Sequence, residues 1–126
     1  MLIAKAILVV EDEPLVAMTI EDWLEDLGAR TVGPASTVAE ALGLIETAHI
    51  DAAILDVNLG TERTGAVAER LSRRGVPFVY ATGYAKAGAE IYAAEVLTKP
   101  YSLEQMAAAL VRSMARSARS GDRDGD

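Results

Sequence analysis

Several residue types are absent or scarce in this 126-residue chain. It contains no cysteine, which excludes disulfides, thiolate metal sites and cysteine nucleophiles. Twelve basic residues against nineteen acidic ones give a formal net charge of −7, which argues against binding to a nucleic-acid backbone. No apolar run approaches the roughly 20 residues that a membrane span needs, and the first ten residues lack the charged start and cleavage site of a signal peptide. We therefore expect a cytoplasmic protein that binds neither nucleic acid nor a membrane.

Hydrophobic residues, by contrast, make up 51% of the chain, enough for one domain with its own core. The acidity is concentrated near the start, because residues 1–28 hold seven acidic side chains and one basic one. The end of the chain is polar, contains glycine and has no apolar anchor. We predict a domain over residues 1–116 and a disordered tail over residues 117–126.

Short runs rich in valine and isoleucine alternate with segments of helical spacing. The runs are typical of strands buried on both faces and cover residues 6–10, 31–32, 52–55, 76–81 and 96–98. The helical segments cover residues 14–27, 38–49, 66–74, 84–94 and 103–114. The fourth is the poorest, with Gly88 and many alanines. The alternation predicts an α/β fold: a doubly wound, flavodoxin-like, five-stranded parallel sheet of order 2-1-3-4-5, with a short or irregular fourth helix.

Polar residues follow the predicted strands at their carboxyl ends, where ligands bind in open parallel sheets. Strands 1 and 3 are neighbours in this order, so Glu11, Asp12 and Asp56 should converge. Thr82 and Lys99, which end strands 4 and 5, should approach from the other side. Three carboxylates in one crevice repel one another unless a cation lies among them, and an all-oxygen ligand set suits Mg²⁺. An ionised aspartate beside Mg²⁺, a lysine and a hydroxyl can accept a phosphoryl group.

Four segments at these strand ends carry a resemblance to a known family. In order along the chain they are VVEDEP at 9–14, ILDVNL at 54–59, YATGY at 80–84 and TKPY at 98–101. Together they resemble the motifs of receiver domains of two-component response regulators, over roughly residues 5–114. One such motif alone is a weak signal, whereas four in order are specific.

The resemblance assigns a role to each matching position. It makes Asp56 the phosphoacceptor, with Asp12 as a direct Mg²⁺ ligand and Glu11 acting largely through water. It implies a further ligand from the backbone carbonyl of Asn58. It also implies that Thr82 bonds a phosphoryl oxygen and moves inward on phosphorylation. The remaining implied features are pairing of the phosphoryl group with Lys99 and a cis peptide bond between Lys99 and Pro100.

The sequence departs from the usual family pattern in the predicted switch region. Val96 stands where most members have tyrosine or phenylalanine, so we expect Tyr84 or Tyr101 to report the change instead. Gly60 replaces a common proline, and the spacing between Thr82 and Lys99 is short. These features resemble the "FAT GUY" subgroup, whose members are mostly single-domain regulators, some linked to stress signalling. The resemblance therefore implies a stand-alone regulator that is a monomer or weak dimer.

The resulting hypothesis is a signalling switch rather than a metabolic enzyme. Asp56 would accept phosphate from a histidine kinase or histidine phosphotransfer protein, and the changed surface would engage a downstream protein partner. The chain would catalyse only its own phosphorylation and dephosphorylation. The alternative is a module of the same fold that binds its partner without phosphorylation. Enzymes of similar folds fit less well, because the acidic loop after strand 1 would repel a flavin phosphate and the second aspartate of dehalogenase-type phosphatases is missing.

Overall fold

The computed structural model describes residues 2–83 and 95–124 of the chain. Its central sheet contains five strands: β1 (Ala6–Val10), β2 (Arg30–Ala35), β3 (Ala52–Asp56), β6 (Phe78–Thr82) and β7 (Glu95–Thr98). All neighbouring pairs are parallel, in the order β2-β1-β3-β6-β7. This is the predicted order 2-1-3-4-5, because β6 and β7 are the fourth and fifth strands of this sheet. The two short strands between β3 and β6 in the chain form a separate hairpin. The predicted receiver-like fold is confirmed.

That separate hairpin follows directly after β3 and was not predicted. It consists of β4 (Asn58–Leu59) and β5 (Glu62–Arg63), which pair antiparallel. Gly60, in the turn between them, has a φ of +60°, a left-handed conformation that glycine adopts without steric cost.

Helices cover both faces of the sheet because the strand side chains alternate in direction. The helices are α1 (Pro14–Asp26), α2 (Val38–Thr47), α3 (Gly65–Arg73) and α4 (Leu103–Asp124). Leu8 and Leu55 face α2 and α3, whereas Ile7, Val9 and Ile54 face α1 and α4. β1 and β3 are buried over their whole length. The sheet therefore carries its most enclosed strands at the centre, where the predicted site begins.

The strand and helix bounds differ from the sequence prediction at a few ends. β2 is longer than the predicted 31–32, and α2 ends at Thr47 rather than at residue 49. The predicted fourth helix, 84–94, lies outside the described residues.

The largest correction concerns the final helix, which was predicted to end near Met114 and to be followed by a disordered tail. Helix α4 instead continues to Asp124. Arg112 and Arg116 bind the buried carboxylate of Glu95 at 3.0 and 2.6 Å, and the Ser117 hydroxyl lies 3.5 Å from the Gly75 carbonyl. These long-range contacts fix the helix past Met114, and alanine and arginine favour its continuation.

Candidate functional site at the carboxyl edge of the sheet

The carboxyl ends of the central strands bring the predicted acidic residues together. Glu11 and Asp12 follow β1, and Asp56 is the last residue of the adjacent β3. One carboxylate oxygen from each of the three lies within 4.8 Å of the others. Glu11 is 3% exposed and Asp56 is 9% exposed, whereas Asp12 is half-buried at the mouth of the crevice. The predicted convergence of these carboxyl groups is therefore present in the fold.

Burial raises the pKa of the Glu11 carboxyl to about 7, and the nearby charge of Asp56 adds to the increase. The backbone N–H of Glu13 donates to Glu11 Oε2 at 3.1 Å and, together with the Lys99 charge, partly opposes this shift. The crevice thus concentrates negative charge that its own surroundings neutralise only in part. Such a set of oxygen donors fits a divalent cation of the Mg²⁺ type.

Within residues 2–83 and 95–124, Lys99 is the basic side chain that contacts the acidic cluster. Its Nζ lies 2.8 Å from Asp56 Oδ2 and 3.8 Å from Glu11 Oε1. Burial would lower the pKa of the ammonium group, but the hydrogen bond and charge of Asp56 and the charge of Glu11 raise it above its ordinary value. Lys99 therefore carries its charge over the physiological pH range.

The backbone around Lys99 positions it against the neighbouring strand. Its N–H donates to the Thr82 carbonyl at 2.8 Å, and the bond to Pro100 is cis, as the resemblance implied. Thr82 ends β6, is buried, and lies one residue beyond Ala81, the sheet partner of Asp56. The threonine is thus at the same edge of the sheet as the acidic cluster.

The loop after Asp56 is held by its own backbone. The N–H of Asn58 donates to Asp56 Oδ1 at 3.3 Å, and the N–H of Val57 donates to the Ala81 carbonyl at 3.1 Å. Asp56 therefore receives hydrogen bonds on both carboxylate oxygens, from Asn58 on one and Lys99 on the other.

Three of the residues predicted to take part in the switch, Val96, Pro100 and Tyr101, lie on or just after β7. Val96 is 38% exposed on β7 and pairs with Tyr80, and Pro100 is exposed. Tyr101 packs edge-on against Trp23, with ring centroids 6.1 Å apart. Its buried hydroxyl has no hydrogen-bond partner among the described residues, and burial raises its pKa, with Glu11 and Asp56 contributing. Tyr84 lies outside the described residues, so its modulating role stays a prediction.

A buried threonine also belongs to the site, although its sequence pattern does not indicate this. Thr64 is 1% exposed, and its hydroxyl lies 2.8 Å from the Asp56 carbonyl and 2.9 Å from the Val57 carbonyl. A threonine just before a helix is typical of an N-cap, and nothing in the sequence indicates that its side chain turns back toward the preceding strand.

Comparison with known proteins agrees with this architecture. The family model for the response regulator receiver domain matches residues 7–111. The "Phyllosphere-induced regulator PhyR" of Methylorubrum extorquens is 31% identical over 117 residues, covering 88% of this chain and 44% of that protein. The chain spans about half the length of the curated relatives it matches.

Solved structures give the same result. The solution structure of SdrG from Sphingomonas melonis Fr1 is 42% identical, with a TM-score of 0.77, covering 91% of this chain and 98% of that one. The receiver domain of sensor histidine kinase PA1611 from Pseudomonas aeruginosa PAO1, crystallised with a magnesium ion in its active-site cleft, is 24% identical, with a TM-score of 0.78, covering 89% of this chain and 98% of that one.

The chain belongs to the response regulator receiver domain family of two-component systems. Domains of this family are phosphoacceptors. Among the described residues, no helix has both the length and the apolar character needed to cross a bilayer.

Proposed function

We propose that Asp56 accepts a phosphoryl group from a histidine kinase or histidine phosphotransfer protein, in a reaction that requires Mg²⁺. The observation that carries this proposal is the position of Asp56 between opposite charges. Lys99 Nζ lies 2.8 Å from one of its oxygens, and the carboxylates of Glu11 and Asp12 lie within 4.8 Å. An Asp56 oxygen would form a bond to phosphorus while the bond from phosphorus to the donor histidine nitrogen breaks.

The surrounding residues have distinct roles in this proposal. Asp12, Asp56, the Asn58 backbone carbonyl and, through water, Glu11 would hold Mg²⁺. The cation would supply positive charge against the phosphoryl oxygens. Lys99 would neutralise the same oxygens from the other side, because it is charged and already reaches Asp56.

Two further residues would act on the phosphorylated state. Thr82, buried at the end of β6, would donate its hydroxyl to a phosphoryl oxygen. Asn58 is exposed beside Asp56, where an attacking water must enter, so it would tune the lifetime of the acylphosphate together with Tyr84. The chemistry is confined to the chain's own phosphorylation and hydrolysis, and the output is contact with a protein partner.

The test is intact mass spectrometry of the full chain with a small acylphosphate donor, with and without Mg²⁺. We expect one phosphoryl increment that requires Mg²⁺ and is lost in Asp56→Asn. Asp22→Asn is the matched control, since this exposed aspartate on α1 undergoes the same chemical change away from the site. An increment that persists in Asp56→Asn contradicts the assignment. If neither the small donor nor a panel of phosphorylated histidine kinases modifies the wild type, the proposed function is wrong.

One observation favours a second candidate, a module that binds its partner without phosphorylation. The usual aromatic switch position is occupied by Val96, which is 38% exposed and has no ring to move inward. The affinity of Asp56→Ala for the partner distinguishes the two functions. If the variant binds the partner as tightly as the phosphorylated wild type does, binding does not need phosphorylation and the second candidate is favoured.

A further inference from the structure

Thr64 occupies the N-cap position of α3 but does not cap the helix. Its side chain makes no hydrogen bond to the first turn, although threonine at this position ordinarily accepts one from a backbone N–H. The hydroxyl turns in the opposite direction, toward the end of β3. The helix therefore forgoes a stabilising cap, and the hydroxyl is used at the loop that follows the phosphoacceptor.

At that loop the Thr64 hydroxyl contacts two successive carbonyl oxygens. It lies 2.8 Å from the oxygen of Asp56 and 2.9 Å from that of Val57, so its single proton is shared between them. The Thr64 N–H adds a third contact, donating to the Val57 carbonyl at 3.2 Å. With 1% exposure, water cannot readily take the place of the hydroxyl.

These contacts close the base of the hairpin that carries Asn58. Asn58 pairs with Arg63 and Leu59 with Glu62, so the chain leaves Asp56, reverses at Gly60 and returns to the same point at Thr64. The backbone of Asn58 is thus fixed on one side by its N–H bond to Asp56 and on the other by the hairpin that Thr64 anchors. A shift of this loop would move both the Asp56 carboxylate and the Asn58 carbonyl.

We infer that Thr64 is a positioning residue for phosphoryl transfer, and that its hydroxyl sets the backbone between Asp56 and Asn58 for cation binding and attack. This inference rests on the proposed function of Asp56. Hydrogen-bond partners behind metal ligands typically contribute 10–100-fold in affinity or activity. The inferred effect on cation binding and phosphorylation comes from the Thr64 hydroxyl and not from the volume of the side chain.

The experiment compares Thr64→Val, which keeps the shape but removes the hydroxyl, with Thr64→Ser, which keeps the hydroxyl. Mg²⁺ affinity is measured by calorimetry and the initial phosphorylation rate by intact mass. We expect both to fall about tenfold in Thr64→Val and to stay within about twofold of wild type in Thr64→Ser. Ser113→Ala is the matched control, because Ser113 is also buried and its hydroxyl donates to the Leu110 carbonyl at 2.8 Å on α4.

Urea unfolding of each variant separates positioning from folding, and Thr64→Ala replaces Thr64→Val if the latter does not fold. Wild-type Mg²⁺ affinity and rate in the folded valine or alanine variant would overturn the inference. So would a defect in Thr64→Ser as large as that in Thr64→Val, or an equal loss in Ser113→Ala. Failure of the proposed function is distinct, since the wild type itself would then take up no phosphoryl group.

Discussion

The ammonium group of Lys99 reaches across from the end of β7 to Asp56 Oδ2, 2.8 Å away, and so ties the edge strand of the sheet to its central strand. Lys99→Met removes this charge while keeping an unbranched side chain. We expect the phosphorylation rate to fall about 100-fold, because the substitution removes a preorganised positive group that would stabilise the negative charge of the transition state. A mass-spectrometric time course measures it, with Lys5→Met at the opposite end of β1 as control. An unchanged rate in Lys99→Met would show that the lysine has no part in transfer.

The cluster of Glu11, Asp12 and Asp56 predicts that Mg²⁺ stabilises the folded protein against unfolding. At a concentration 100 times its dissociation constant, the cation should raise the free energy of unfolding by about 2.7 kcal/mol, because it binds only the folded protein. We expect Asp12→Asn to lose most of this increase, since it removes one of three clustered carboxylates. Glu13→Gln, an exposed neighbour, should retain it. Denaturation with Mg²⁺ and with a chelator measures the difference, and equal stabilisation of wild type and Asp12→Asn would contradict the assignment.

The Glu95 carboxylate should make the free energy of unfolding depend on pH in the acid range. Burial alone would raise the pKa of its carboxyl, but hydrogen bonds and charge from Arg112 and Arg116 lower it below the ordinary 4.5. Because the folded pKa is depressed, the stabilisation is complete above about pH 4.5 and is lost as the pH falls through the folded value. Glu95→Gln should therefore cost about 2 kcal/mol at pH 7 and less at pH 3.

Urea unfolding at several pH values measures this dependence. Glu104→Gln, an exposed carboxyl at the start of α4, is the matched control and should change stability little at either pH. A constant difference between wild type and Glu95→Gln from pH 7 to pH 3 would refute the role of the ionised carboxylate.

The Tyr101 hydroxyl gives a fourth prediction. It is buried without a partner among the described residues, and an unsatisfied buried hydroxyl costs about 1–3 kcal/mol. Tyr101→Phe should therefore be at least as stable as wild type, because it keeps the ring that packs against Trp23. Tyr101→Ala should be clearly less stable. Thermal unfolding measures both, and marked destabilisation by Tyr101→Phe would mean that the hydroxyl has a stabilising partner.

The central part of the sheet was predictable because β1, β3 and β6 are buried on both faces, which leaves continuous apolar runs such as residues 6–10 and 52–55. Their order then placed Glu11, Asp12 and Asp56 at one edge of the sheet, and Lys99 joined them because it follows the fifth strand of the same sheet. This part of the site depends only on which residues end which strands.

The features that the sequence did not predict depend on contacts formed only in the folded chain, or on strands too short to show an alternating pattern of apolar and polar residues. The hairpin β4–β5 has two residues in each strand, and one of these is the charged pair Glu62–Arg63. Thr64 has the signature of an ordinary helix cap, and only the folded backbone shows its hydroxyl on Asp56 and Val57. The length of α4 depends on Glu95, twenty-one residues before Arg116.

Asp56 ends the middle strand of five, and the strands beside it, β1 and β6, are buried along their whole length. The amide protons of such a strand exchange with solvent only when most of the domain opens. Heating should therefore abolish cation binding at the same temperature at which the sheet melts, rather than through earlier loosening of the crevice. We therefore expect the cation site and the sheet to be lost in one cooperative transition.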